Sequence, residues 1–165
     1  MWSLDDIVKA TGGRPVQIGE RSFPAISTDS RTVEAKELFI PLHGPNFEGH
    51  RFLGDAMKRS AGGCLCEASK AEFCTGLKGT VILVDDSLKA LTRLAAFRRN
   101  LFTGTVVGIT GSNGKTTTKE ILADMVKDDV TCAYNEKIFN NIIGVSKSII
   151  AFETTKECYI LEVGT

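Results

Sequence analysis

One lysine set among small residues marks the stretch of this chain most able to do chemistry. Residues 108–118 read Gly-Ile-Thr-Gly-Ser-Asn-Gly-Lys-Thr-Thr-Thr. Gly111 and Gly114, flanking the small polar Ser112 and Asn113, let successive backbone N–H groups converge on phosphate oxygens. Lys115 brings a positive charge to the β and γ phosphates, and the Thr116 hydroxyl can ligate Mg²⁺. Together with Thr117 these residues point to the triphosphate of ATP, with Mg²⁺ as its companion and Lys115 as the catalytic cation. The common motif, G-x-x-x-x-G-K-[ST], would place glycine at 109, where this chain has Ile109, and Gly111 stands closer in. A G-K-T tripeptide also opens ordinary helices. Here an apolar β-branched run precedes it and a helical pattern follows, and three threonines in a row are a poor helix opening by propensity alone.

A carboxylate partner for such a metal belongs at the carboxyl end of a neighbouring parallel strand, which is where Glu162 falls. A solvated glutamate at a strand end would have the same spacing. Asn140 and Asn141 could hydrogen-bond the nucleotide, or serve as a turn or helix cap. His43 and His50 show no metal-ligand spacing with Cys64 and Cys66.

The elements that must position these residues follow from periodicity. Ser3, followed three residues later by Asp6, opens a short helix that stops at Gly12-Gly13. Brief strands are expected at 16–18, 25–28 and 38–42, a helix at 51–60, and strands at 64–66 and 81–84. Asp85-Asp86-Ser87 starts a helix with Leu88, Leu91, Leu94, Ala95 and Phe102 on one side. Beyond it come a strand at 106–110, the glycine loop, a helix at 115–127, a strand at 130–133, a polar loop, a helix at 144–152 and a strand at 159–163. This β-loop-α-β-α-β order implies an α/β fold with a parallel sheet and right-handed crossovers. The chain divides into a small N-terminal α/β domain at 1–85, a linker helix at 86–104, and the start of a P-loop parallel-sheet domain at 105–165. Three strands and two helices make a thin unit. The expectation is a piece of a larger protein, or self-association through an exposed sheet edge.

Composition bounds the partners. The 165 residues are 42% hydrophobic, and 20 basic residues balance 20 acidic ones. Neither nucleic acid nor an anionic membrane surface is favoured. The start, Met-Trp-Ser-Leu-Asp-Asp, lacks the apolar core of a secretory signal, and no run reaches the roughly 18–20 apolar residues of a membrane span, so no membrane insertion is expected. Five cysteines, odd in number and without a C-x-x-C pair, argue against a disulfide framework and a structural zinc site. A cytoplasmic setting with reduced thiols follows.

Residues 108–120 resemble the nucleotide loop of the Mur ligases, whose motif has glycine at the closer spacing. Asn135 and the run Asn140-Asn141-Ile142-Ile143-Gly144-Val145 resemble that family's asparagine-rich segment, and Glu162-Val163-Gly164 its E-M-G segment. Residues 27–31 and 38–52 are similar to its uridine-nucleotide-binding domain. Lys119 and the paired asparagines are most like the branch that joins D-alanyl-D-alanine to UDP-N-acetylmuramoyl-tripeptide. The related branch adding the third peptide residue, or a non-catalytic module binding a nucleotide or UDP-sugar, is the alternative. Glu48, Ser146 and Val163 depart mildly from the pattern, where aspartate, proline and methionine are usual. The resemblance implies an ATP-dependent amide ligase of peptidoglycan precursor synthesis acting through an acyl phosphate. It implies that Gly111, Ser112, Asn113, Gly114, Lys115, Thr116, Thr117, Asn140 and Asn141 bind ATP, that Thr116 and Glu162 hold the metal, and that Ser30, Arg31, Gly44, Asn46 and His50 bind the UDP-muramoyl peptide. The family's remaining ATPase strands and third domain have no counterpart in these residues, so the chain is expected to be inactive alone.

Overall fold

The computed structural model describes residues 1–44, 47–135, 140–153 and 155–164. They form two compact units, Met1–Arg93 and Leu94–Thr165.

In chain order the first unit contains β1 (Trp2–Ser3), α1 (Leu4–Thr11), β2 (Arg14–Gln17), β3 (Ser22–Phe23), β4 (Ile26–Ser27), β5 (Leu38–Phe39), β6 (His43–Gly44), β7 (Phe47–Glu48), α2 (Leu53–Lys58), β8 (Gly63–Glu67) and β9 (Thr80–Val84). Helix α3 (Ser87–Leu101) continues from it into the second unit. The cap expected for α1 forms, with the Asp6 N–H donating to Ser3 Oγ at 3.0 Å. The main sheet has the order β2-β9-β8-β5-β4, parallel throughout except for β2. Every residue of β8 is buried, as a strand covered on both faces requires. Cys64 and Cys66 pack there with Val33, Phe39, Leu53 and Val81, serving as small core hydrophobes. The segments carrying Ser30 and Gly44 leave the carboxyl ends of β4 and β5, the edge of a parallel sheet where ligands gather.

The second unit contains β10 (Thr105–Ile109), α4 (Lys115–Val126), β11 (Cys132–Tyr134), α5 (Ile142–Ile150) and β12 (Cys158–Glu162). Its parallel sheet has the order β10-β12-β11, so α4 carries the chain past a position that β12 later fills. Central β12 is wholly buried. Phe102, Phe152 and Tyr159 form its aromatic core, with Phe152 and Tyr159 stacked at 3.7 Å. The Tyr159 hydroxyl keeps a partner by accepting the Glu153 N–H at 2.6 Å.

Helix α5 begins two residues earlier than periodicity placed it, because Asn141 caps it by accepting the Gly144 N–H at 2.9 Å. The pairing of β1 with β3 and of β6 with β7 was not expected from sequence, since two-residue strands carry no period. No described helix is long and apolar enough to cross a membrane.

Candidate nucleotide site

The loop between β10 and α4 owes its shape to two glycines in the left-handed region, Gly111 at φ +136° and Gly114 at φ +75°. An L-residue would be strained at either position. Gly114 is the N-cap of α4 and supplies no side chain to its first-turn N–H groups. Those donors, with the positive end of the helix dipole, are thus left for an external acceptor. Lys115 spans the loop, its Nζ donating to the Gly111 carbonyl at 2.5 Å. Ser112, Asn113 and Thr117 are exposed around it.

Behind the loop, Glu162 at the end of β12 is the hub. Only 2% exposed, its carboxylate accepts from Thr116 Oγ1 at Oε2 (2.9 Å) and from Asn140 Nδ2 at Oε1 (3.2 Å). Lys119 lies one helical turn after Thr116 on the same face of α4, with its Nζ 3.6 Å from Oε2. Burial alone would raise the Glu162 carboxyl, but hydrogen bonds from Asn140 and Thr116 and the Lys119 charge outweigh it and hold the group below its ordinary range. Asn135 fixes the backbone of Glu162 from both sides, donating Nδ2–H to its carbonyl at 2.9 Å and accepting its N–H at Oδ1 at 2.7 Å. The Asn135 carbonyl in turn accepts from Lys119 Nζ at 2.7 Å.

This geometry separates the two asparagines that sequence left equivalent: Asn140 faces the carboxylate and Asn141 caps a helix. It also adds Lys119 and Asn135, which sequence reasoning quoted only as part of a pattern. Both stood in the sequence only as members of the segments that carry the family resemblance, with no contact to Glu162 indicated. Thr116 Oγ1 and the Glu162 carboxylate together offer hard oxygen donors at a strand's carboxyl end, a set that suits Mg²⁺. Among the described residues no group of three or more His, Cys, Asp or Glu could hold a metal.

In the first unit the candidate residues are more scattered. Arg31 is exposed and forks onto Asp29, Nε to Oδ1 at 2.9 Å and Nη2 to Oδ2 at 2.7 Å, closing the turn that contains Ser30. Gly44 is exposed in β6, and Asn46 lies outside the described residues. His50 was expected to face a ligand, yet it is 1% exposed and both ring nitrogens are engaged. Its Nε2 accepts the Glu67 N–H at 3.2 Å, so the ring proton sits on Nδ1 and is donated to Glu48 Oε1 at 2.7 Å. Lys70 reaches Glu48 Oε2 at 2.6 Å and Glu67 Oε2 at 3.4 Å, and Glu67 Oε1 accepts the Ser87 N–H at 3.0 Å. Burial would raise Glu48, but Lys70 and His50 together pull it down to about 2. His50 therefore braces Glu48 from inside.

Comparison with known proteins matches residues 109–165 to the Mur ligase middle domain. The chain's likeness is to the Mur ligases. The chain is similar to the UDP-N-acetylmuramoyl-tripeptide–D-alanyl-D-alanine ligase of Bacillus subtilis (strain 168), 36% identical over 98% of this chain and 35% of that protein. The crystal structure of MurF from Acinetobacter baumannii superposes with a TM-score of 0.90 at 26% identity, over 99% of this chain and 36% of that one. MurF ligase from Thermotoga maritima, solved in complex with ADP, superposes with a TM-score of 0.74 at 31% identity, over 85% of this chain and 32% of that one. The chain thus spans about a third of the length of these relatives.

Proposed function

We propose that this chain is the nucleotide-loop and substrate-binding portion of an ATP-dependent ligase that joins D-alanyl-D-alanine to UDP-N-acetylmuramoyl-tripeptide. The observation that carries the reading is the pairing of an uncapped, glycine-shaped helix N-terminus with a buried carboxylate hub bonded to that helix's first-turn hydroxyl. The similarity to ligases of that specificity, and to one solved with ADP, supports the same assignment.

Phosphoryl transfer from ATP to a peptide carboxylate spreads negative charge over the γ-phosphate oxygens, so the protein's task is positioning and cationic stabilisation. The amides of residues 111–116 cradle the phosphates, and Lys115 exchanges its Gly111 carbonyl for phosphate oxygens. Thr116 and Glu162 hold Mg²⁺, which supplies further neutralisation of the phosphates. Asn140 keeps the Glu162 carboxylate aimed, and Asn141 secures the helix behind it. Ser30, Arg31, Gly44 and Asn46 hold the uridine diphosphate end of the second substrate, with His50 supporting their segment rather than touching the ligand. The acyl phosphate so formed is attacked by the amine of D-alanyl-D-alanine, releasing phosphate.

The test is ADP release by the intact protein supplied with ATP, Mg²⁺ and both peptide substrates. Turnover should require UDP-N-acetylmuramoyl-tripeptide and D-alanyl-D-alanine together. ADP release indifferent to both would overturn the ligase reading.

A further inference from the structure

The same hub contains a charge that the phosphate chemistry does not use. Lys119 sits on the inner face of α4, 3% exposed, and donates to the Asn135 carbonyl at 2.7 Å. Its Nζ lies 3.6 Å from Glu162 Oε2, the oxygen that also accepts from Thr116. A buried lysine has no reason to be tolerated without a paired acceptor, and here the acceptors are a fixed carbonyl and the carboxylate proposed to face the metal.

Charge counting gives the consequence. Glu162 contributes one negative charge, and Lys119 within the hub cancels it. Lys115 at the mouth adds a further positive charge. Among the described residues no group of three or more His, Cys, Asp or Glu gathers there. A divalent cation arriving alone therefore meets a site with no net negative charge, and repulsion from a fixed ammonium a few ångströms away, in a medium poorer in water than bulk, is substantial. A cation that arrives with a nucleotide brings the phosphate charges that offset both lysines.

We propose that Lys119 is a positioning residue that makes metal binding conditional on nucleotide: it holds Glu162 oriented while suppressing its affinity for a free divalent cation, so that the metal enters only as its nucleotide complex. This deepens the proposed function and rests on the nucleotide reading of the loop. Structural support by Lys119 alone would predict that its loss weakens every ligand. The proposal predicts the opposite for the bare metal.

The experiment measures Mn²⁺ binding to the intact protein, with Mn²⁺ as the spectroscopic stand-in for Mg²⁺, alone and with saturating ADP, for wild type, Lys119→Met and Lys119→Arg. Wild type should bind Mn²⁺ at least about tenfold more tightly with ADP than without, a change of about 1.4 kcal/mol. Lys119→Met should bind Mn²⁺ alone about tenfold more tightly than wild type, narrowing the ADP effect, whereas Lys119→Arg, which keeps the charge, should stay close to wild type. Should Lys119→Met fail to fold, the wild-type contrast with and without ADP still decides: equal Mn²⁺ affinity in both overturns the proposal. Intact ADP binding with unchanged or weaker Mn²⁺ affinity in Lys119→Met overturns it while leaving the nucleotide reading in place. Absence of ADP binding in wild type would instead remove that reading, and this one with it.

Discussion

Thr116 and Glu162 stand 46 residues apart in sequence and share a hydrogen bond of 2.9 Å, joining the first turn of α4 to the end of β12. The bond places a helix N-terminus, a hydroxyl and a carboxylate at one spot, and it exists because β12 enters the sheet beside β10, the strand that feeds the loop.

Lys115 donates to the Gly111 carbonyl and lies at the site's mouth. Lys115→Ala should lower affinity for Mg·ADP by about a hundredfold, as loss of a charge-assisted phosphate contact of about 2–3 kcal/mol predicts, while the melting temperature stays within a degree or so of wild type. Calorimetric titration and thermal unfolding read the two effects separately.

A methyl group on Gly114 would meet no heavy atom within 4 Å, so the cost of Gly114→Ala is conformational rather than steric. With φ at +75° it should destabilise the second unit by about 1 kcal/mol. Nucleotide affinity should fall further than stability, because the first-turn amides lose their direction. Denaturant unfolding and ADP titration on the same sample make the comparison.

Asn135→Ala removes both partners of the Glu162 backbone in a buried setting. Each stranded group costs about 1–3 kcal/mol, so a loss of roughly 3 kcal/mol is expected in denaturant unfolding, with unfolding cooperativity retained. A loss below about 0.5 kcal/mol would mean that this clamp does not order the hub.

Glu48 titrates at about 2 in the folded protein against an ordinary 4.5. A carboxyl depressed in this way stabilises the fold fully above 4.5 and progressively less as pH falls toward about 2. Lys70→Met removes its strongest partner and lets the folded-state carboxyl rise back toward 4.5, so the variant should melt lower than wild type at neutral pH and lose less melting temperature between about pH 4.5 and pH 2. Coincident curves for the two proteins would refute that coupling.

The glycine loop between strand and helix was legible because its parts are contiguous: glycines, lysine and threonine lie within seven residues and need only a strand before and a helix after. The same holds for α1, whose cap is local. The hub was only half legible. Glu162 could be placed from its strand end, but Lys119 and Asn135 acquire their roles through contacts spanning 43 and 27 residues, 162 − 119 and 162 − 135, that no periodicity encodes. His50 was placed against a ligand through the family resemblance of its segment. Its burial depends on Glu67 and Lys70, supplied by β8 and the turn after it, and sequence spacing does not reveal that packing.

The most direct test is the structure of the intact protein with Mg·ADP. The account predicts the β-phosphate seated on the N–H groups of residues 113–116, with Lys115 Nζ withdrawn from the Gly111 carbonyl onto a phosphate oxygen and the metal between Thr116 and Glu162. Nucleotide bound elsewhere while Lys115 keeps its bond to Gly111 would contradict it.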